Sequence, residues 1–185
     1  MMMKELSLHI LDIVQNSIVA GATLIEIAIK VDHAGDWMAI SVSDNGRGMD
    51  KVLLSQVESP FTTSRTTRKV GLGIPMFKAG AEGAGGSFTI KSTPGKGAYI
   101  EATYQISHLD RPPLGDIAGT LYVTVVCNDT IDIVFRYTVD DAGYSLDTRE
   151  IRAVLGEDVP FNTPEVSQWI KNELAEGIHS LNGGV

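Results

Sequence analysis

Asp12 and Asn16 stand four residues apart in the otherwise apolar stretch Leu6 to Ala20. On a helix their side chains project from one face, with His9 near the same stripe. An acid and an amide on the face of an apolar helix call for a reason; a solvated stripe is the simplest one. A second group, Asp44-Asn45-Gly46-Arg47-Gly48-Met49, ends an alternating run. A carboxylate at a strand end can accept a hydrogen bond from an exocyclic amine. Glycines directly after it let the backbone approach a flat ring where a β-carbon would clash. Asn-Gly is also a common turn. The third group, Gly71-Leu72-Gly73-Ile74, follows a polar loop and opens a helix. A glycine-rich helix N-terminus presents free N–H groups and a positive dipole end, for which phosphate is the natural ligand. Arg65, Arg68 and Lys69 in the preceding loop could add charge-assisted contacts. A tight start to a helix is the alternative reading.

The elements that must position these groups follow from periodicity. Leu6, Ile10, Ile13, Val14 and Ile18 recur at the helical period, and Gly21 is a natural stop. Leu24–Val31 and Trp37–Ser43 alternate as strands around the turn residues 32–36, which suits an antiparallel hairpin. A short helix is expected from Asp50 to about Val57, and a second from Gly71 to about Glu82. Phe88–Lys91 and Ala98–Gln105 read as strands joined by Thr93-Pro94-Gly95-Lys96-Gly97, a strong turn signal. This order predicts an α+β fold, a two-layer α/β sandwich with helices on one face of one sheet.

Ser107–Asp116, with two prolines and mixed charge, is expected to link a domain spanning residues 1–107 to a small C-terminal module spanning 117–185. In that module Thr120–Cys127 and Ile131–Val139 read as a hairpin around Asn128-Asp129. Helices follow at about Thr148–Leu155 and Thr163–Ile178, with Pro164 in a first turn. Docking or dimerisation is the expected use of the module.

The 185 residues are 43% hydrophobic and carry a net charge of −8, so a globular chain is expected and a diffuse basic surface for nucleic acid is not. The one cysteine, Cys127, cannot make an internal disulfide or a multi-cysteine metal site, and its apolar run predicts a buried, inert thiol. No apolar stretch nears the roughly 20 residues that cross a bilayer, and the first residues lack a signal-peptide core, so the expected location is the cytoplasm.

Taken jointly, the order of the three groups resembles the GHKL ATPase and kinase superfamily. Its members include DNA gyrase, heat-shock chaperones, mismatch-repair proteins and the catalytic domains of histidine kinases and anti-sigma serine kinases. "DIVQNSIVAGATLIEIAI" is similar to the mismatch-repair form of the first motif. "SPFTTSRTTRKVGLGIPM" is similar to the histidine-kinase lid and second glycine box. The resemblance covers about Glu5 to Ile106 and implies a Bergerat-type ATP-binding fold.

It also implies roles. Asp44 reads the adenine amino group, Gly46 and Gly48 make room for the ring, and Met49 belongs to the same ATP-binding set. Asn16 coordinates Mg²⁺ through its side-chain oxygen, with phosphates and water supplying most other ligands. Gly71, Leu72, Gly73 and Ile74 cradle the phosphates. Glu58–Val70 forms a short lid from which Thr62, Thr63 and Arg65 meet the nucleotide. Asp12 takes the place of the carboxylate that activates water in the hydrolysing members, where Glu is common; Asp is one methylene shorter. The family's closing Gly-x-Gly-Thr reads Gly95-Lys96-Gly97-Ala98, without the hydroxyl.

No phosphoacceptor hairpin is expected ahead of Leu6, and His9 sits inside the first motif. A self-contained sensor kinase and a gyrase-type ATPase with its transducer are therefore not expected. The leading expectation is an Mg-ATP-binding regulatory kinase that phosphorylates a separate partner protein in signal transduction. The alternatives are a slow ATPase working as a nucleotide-driven switch and a non-catalytic ATP sensor. A homodimer is compatible with all three.

Overall fold

The computed structural model describes residues 5–58, 73–156 and 158–181. Helix α1 (Leu6–Val19) leads into strands β1 (Leu24–Asp32) and β2 (Trp37–Asp44), then helices α2 (Lys51–Glu58) and α3 (Gly73–Gly83). Strands β3 (Phe88–Thr93) and β4 (Gly97–Gln105) follow, then helix α4 (Ile117–Cys127). The chain continues through strands β5 (Asp132–Val139) and β6 (Ala142–Asp147) to helices α5 (Thr148–Leu155) and α6 (Pro164–His179). The fold is α+β, as expected.

One six-stranded sheet runs β3-β4-β2-β1-β5-β6. All its pairings are antiparallel except β1 with β5, which is parallel and sets Leu24 beside Asp132. Alternation decides which face is covered. Ile25, Ile27, Ile29 and Val31 of β1 are buried with Met38, Ile40 and Val42 of β2. On the other face Glu26, Ala28, Ala39, Ser41 and Glu101 are half-buried and Lys30 is exposed. Helix α1 closes the covered face through Leu6, Ile10, Ile13 and Val14, and one core cluster continues through Leu121, Phe135, Ile170 and Leu174. Apolar burial of this extent is the main stabilising term of the fold.

The connection Ser107–Asp116 caps α1. Glu5 provides no side-chain cap. Instead, the Leu6 and Ser7 N–H groups donate to the Pro113 and Leu114 carbonyls, both at 2.9 Å, so orphan donors of the first turn are satisfied by a distant segment.

Two sequence expectations are corrected here. Thr120–Cys127 is not a strand; it lies in α4, whose start is capped by Asp116 Oδ1 accepting the Gly119 N–H at 2.8 Å. The helix packs against both α1 and α6, which explains its apolar composition: burial from two sides erases the periodicity that would have distinguished it from a strand. The hairpin is instead β5–β6, turning at Asp140-Asp141. Cys127, expected to be buried, is exposed at the C-terminal end of α4. Among the described residues no helix is long and apolar enough to cross a membrane.

The start of α5 is tied to the sheet by a buried bond. The Ile133 N–H donates to Thr148 Oγ1 at 2.9 Å, and Thr148 is fully buried. Thr148→Val keeps the shape and strands that N–H. We expect a loss of about 1–3 kcal/mol. Urea denaturation should show a lower midpoint with an unchanged slope.

Candidate functional site

Asp44 is the last residue of β2, and β2 passes from there to α2 rather than turning back as a hairpin. Its carboxylate is held from two sides. Ser17 Oγ of α1 donates to Asp44 Oδ2 at 2.7 Å, and the Gly46 N–H donates to Oδ1 at 2.8 Å. Ser17 is buried, one position after Asn16, and α1 brings its hydroxyl to the strand end. Sequence reasoning missed Ser17. The available signal was a small hydroxyl directly after Asn16 on a helix whose apolar face it shares.

The segment after Asp44 is bonded on both flanks. Asn45 Oδ1 accepts the Thr23 and Leu24 N–H groups at 2.8 and 2.9 Å, and Asn45 Nδ2 donates to Thr23 Oγ1 at 2.8 Å. The Arg47 N–H donates to the Ala20 carbonyl at 3.0 Å. On the other flank the Arg47 carbonyl accepts the Gly95 N–H at 2.7 Å, and the Met49 N–H donates to Ser92 Oγ at 2.8 Å. Asp50 Oδ1 then accepts the Leu53 N–H at 2.8 Å and starts α2. Asp44–Asp50 is therefore a bridge between the α1–β1 connection and the β3–β4 turn.

Gly48 and Gly97 answer to that bridge. Gly48 has φ +66°, and a β-carbon there would fall on the Thr93 carbonyl. Gly97 has φ +86°, and its β-carbon would fall on the Asp44 carbonyl. In this structure the absent β-carbon of Gly48 is accounted for by backbone packing. Gly46 is buried against Ala20 and Asp44, where a β-carbon would have neighbours at 3.0 Å.

The second half of the site is where α1 meets α3. Gly73, the first residue of α3, lies against Asp12, so closely that a β-carbon would overlap the Asp12 carboxylate. Ile74, the next residue, is buried in the core. Asp12 Oδ2 and Asn16 Nδ2 are buried and have no hydrogen-bond partner among the described residues. The stripe carrying them is thus not a freely solvated face. The structure joins Ser17 to Asp44 and Gly46, and Asp12 to Gly73, with Asn16 on α1 between Asp12 and Ser17 in sequence. Thr62, Thr63, Arg65, Gly71 and Leu72 lie outside the described residues, as do Arg68 and Lys69.

The bridge gives a comparison of three glycines. Gly95→Ala meets open space at φ +75° and should cost only the left-handed strain, about 1–2 kcal/mol. Gly48→Ala and Gly97→Ala add backbone overlap and should cost about 2–5 kcal/mol. Denaturation of the three variants checks the ranking. Equal losses would show that the turn shifts freely.

The family model described as "Histidine kinase-, DNA gyrase B-, and HSP90-like ATPase" matches residues 3–108. Among curated proteins, the non-motile and phage-resistance protein of Caulobacter vibrioides is 31% identical over 97 residues, which are 50% of this chain and 12% of that protein. Sensor protein DegM of a Bacillus species is 30% identical over 91 residues, 49% of this chain and 24% of that one. Sensor protein kinase FleS of Pseudomonas aeruginosa is 36% identical over 58 residues, 31% and 14% of the two chains. The chain thus spans a quarter or less of the length of these relatives. The ADP-bound MutL ATPase domain of Aquifex aeolicus shares the fold, with a TM-score of 0.52 and 12% identity over 94% of this chain and 70% of that one. The N-terminal domain of a DNA repair protein does so too, with a TM-score of 0.51 and 19% identity over 83% and 57%. The family match covers more than half of the sequence and every described element of the site: the chain belongs to the histidine kinase-, DNA gyrase B- and HSP90-like ATPases, the GHKL superfamily.

Proposed function

We propose that the chain binds Mg-ATP and transfers its terminal phosphoryl group to a separate partner protein, as a cytoplasmic regulatory kinase. The observation that carries this reading is the pair of buried polar atoms on Asp12 and Asn16 that lack a partner among the described residues, with Asp12 set against Gly73 at the N-terminus of α3. A buried polar atom without a partner is costly, and a ligand that supplies one removes the cost.

In this reading Asp44 accepts the adenine amine while Ser17 and the Gly46 N–H fix the carboxylate. Gly46, Gly48 and Met49 form the floor under the base. The first N–H groups of α3, from Gly73 and Ile74, face the phosphates, joined by Gly71 and Leu72. Thr62, Thr63 and Arg65 come from the lid. Asn16 holds the metal through its amide oxygen; amide nitrogen and oxygen interchange by a flip, so the buried amide fits that role. Bound Mg²⁺ would neutralise charge on the transferring phosphoryl group. The protein's own part is then positioning, with Asp12 next to the phosphate end.

The position of Asp12 against Gly73 favours a second reading, slow ATP hydrolysis with Asp12 orienting water. A nucleotide sensor would bind ATP and do neither. Two variants separate these. Asp44→Asn should lower ATP affinity roughly 5- to 150-fold in calorimetry, the worth of about 1–3 kcal/mol for a mispaired buried bond. Unchanged affinity would remove Asp44 from the site. Asp12→Asn should cut hydrolysis about 10²–10⁴-fold if Asp12 is the base, with ATP affinity little changed. With radiolabelled ATP, label that moves to a lysate protein and survives in Asp12→Asn supports the kinase. Binding without hydrolysis or transfer supports the sensor.

A further inference from the structure

We propose that the free edge of β6, with the groove beside it, docks an extended segment of a partner protein that carries apolar residues at alternate positions and lysines or arginines at its ends. Strand β6 is the last of the sheet, so one row of its backbone groups has no strand neighbour among the described residues. A groove of about 470 Å³ lies along it between α5 and α6. Tyr144, Ser145, Leu146 and Asp147 all line this groove. Consecutive residues of a strand point to opposite faces, so a groove that touches four in a row follows the edge and not one face. An added strand would run along that edge and set alternate side chains into the groove.

The walls expose apolar side chains. Val154 of α5 is 85% exposed and Trp169 of α6 is 49% exposed, with Ile151 buried beneath. Charge selects the occupant. Asp147 is paired with Arg149 at 2.6 Å, whereas Glu150 and Glu173, on the α5 and α6 sides, form no ion pair with any described residue. A rim of two uncompensated carboxylates attracts a cationic segment. It repels a second copy of this chain, which brings the same carboxylates and a net charge of −8.

The probe is a fluorescein-labelled nonapeptide, KKVTFTVKK, with EEVTFTVEE as its counterpart. Anisotropy should show saturable binding of the basic peptide and binding at least about tenfold weaker for the acidic one. Trp169→Ala should weaken the basic peptide about tenfold, as for an aromatic anchor. Glu150→Lys with Glu173→Lys should reverse the preference between the two peptides. Methylating alternate peptide nitrogens should abolish binding, and amide shifts should map to Gly143–Asp147. The idea is overturned by no saturable binding up to about 1 mM, by equal binding of the two peptides, or by unchanged binding in Trp169→Ala. Sedimentation showing a dimer that Val154→Ala dissolves would give the groove to a second copy and overturn it too. None of these residues belongs to the nucleotide site, so ATP affinity should hold in every variant, and failure here leaves the kinase reading standing.

Discussion

The site depends on one close approach: the main chain of Gly97 lies against the carbonyl of Asp44, at a distance no side chain permits. The β2–β4 pairing ends there, with Asp44 opposite Ala98. Ser92 Oγ donates to the Gly97 carbonyl at 2.7 Å and accepts the Met49 N–H, so one hydroxyl joins the turn to the segment after Asp44. With the backbone pinned from the β4 side, the Asp44 carboxylate turns toward α1 and meets Ser17. Ala98, Asp44's partner in register, carries no hydroxyl to stand beside it. Here the hydroxyl on that carboxylate comes from the helix, not from β4.

Much of this was legible in the sequence because it depends on local rules. Helix periodicity placed Asp12 and Asn16 on one face, alternation ended β2 at Asp44, and Thr93–Gly97 announced its turn. What was not legible is tertiary. Nothing in the spacing of Gly48 says that its neighbour is Thr93 rather than a ligand ring, because both demands select glycine. Ser17 looked like an ordinary helix residue until the strand end arrived beside it. In α4 the stretch Thr120–Cys127, rich in β-branched residues, reads as a strand, but burial against two helices overrides intrinsic preference. The cap by Asp116 was the local signal that opposed that reading, one residue against five β-branched ones.

The same logic explains the order of the sheet. The span from β1 to β2 is a hairpin and from β3 to β4 another, both expected from their turns. The β1–β5 pairing joins residues more than a hundred positions apart and is parallel, so it needs a crossover, which α4 supplies. No turn residue encodes such a contact. Its cause is the apolar surface that Ile133, Phe135 and Tyr137 share with Ile25, Ile27 and Ile29 under the helices.

That pairing joins the first half of the sheet to the C-terminal elements. Thr23 and Leu24 receive bonds from both sides: Asn45 Oδ1 accepts their N–H groups, and the Thr23 carbonyl accepts the Asp132 N–H at 2.9 Å. Asp132 is in turn bound by Arg152 of α5, which also reaches the Asp129 carbonyl and stacks 4.8 Å from the Phe161 ring centroid. The start of β1 is therefore a shared footing for the strand end that carries Asp44 and for the helix that walls the β6 groove. A footing bonded on two sides holds its place, because neither neighbour can shift without losing a hydrogen bond to the same residues.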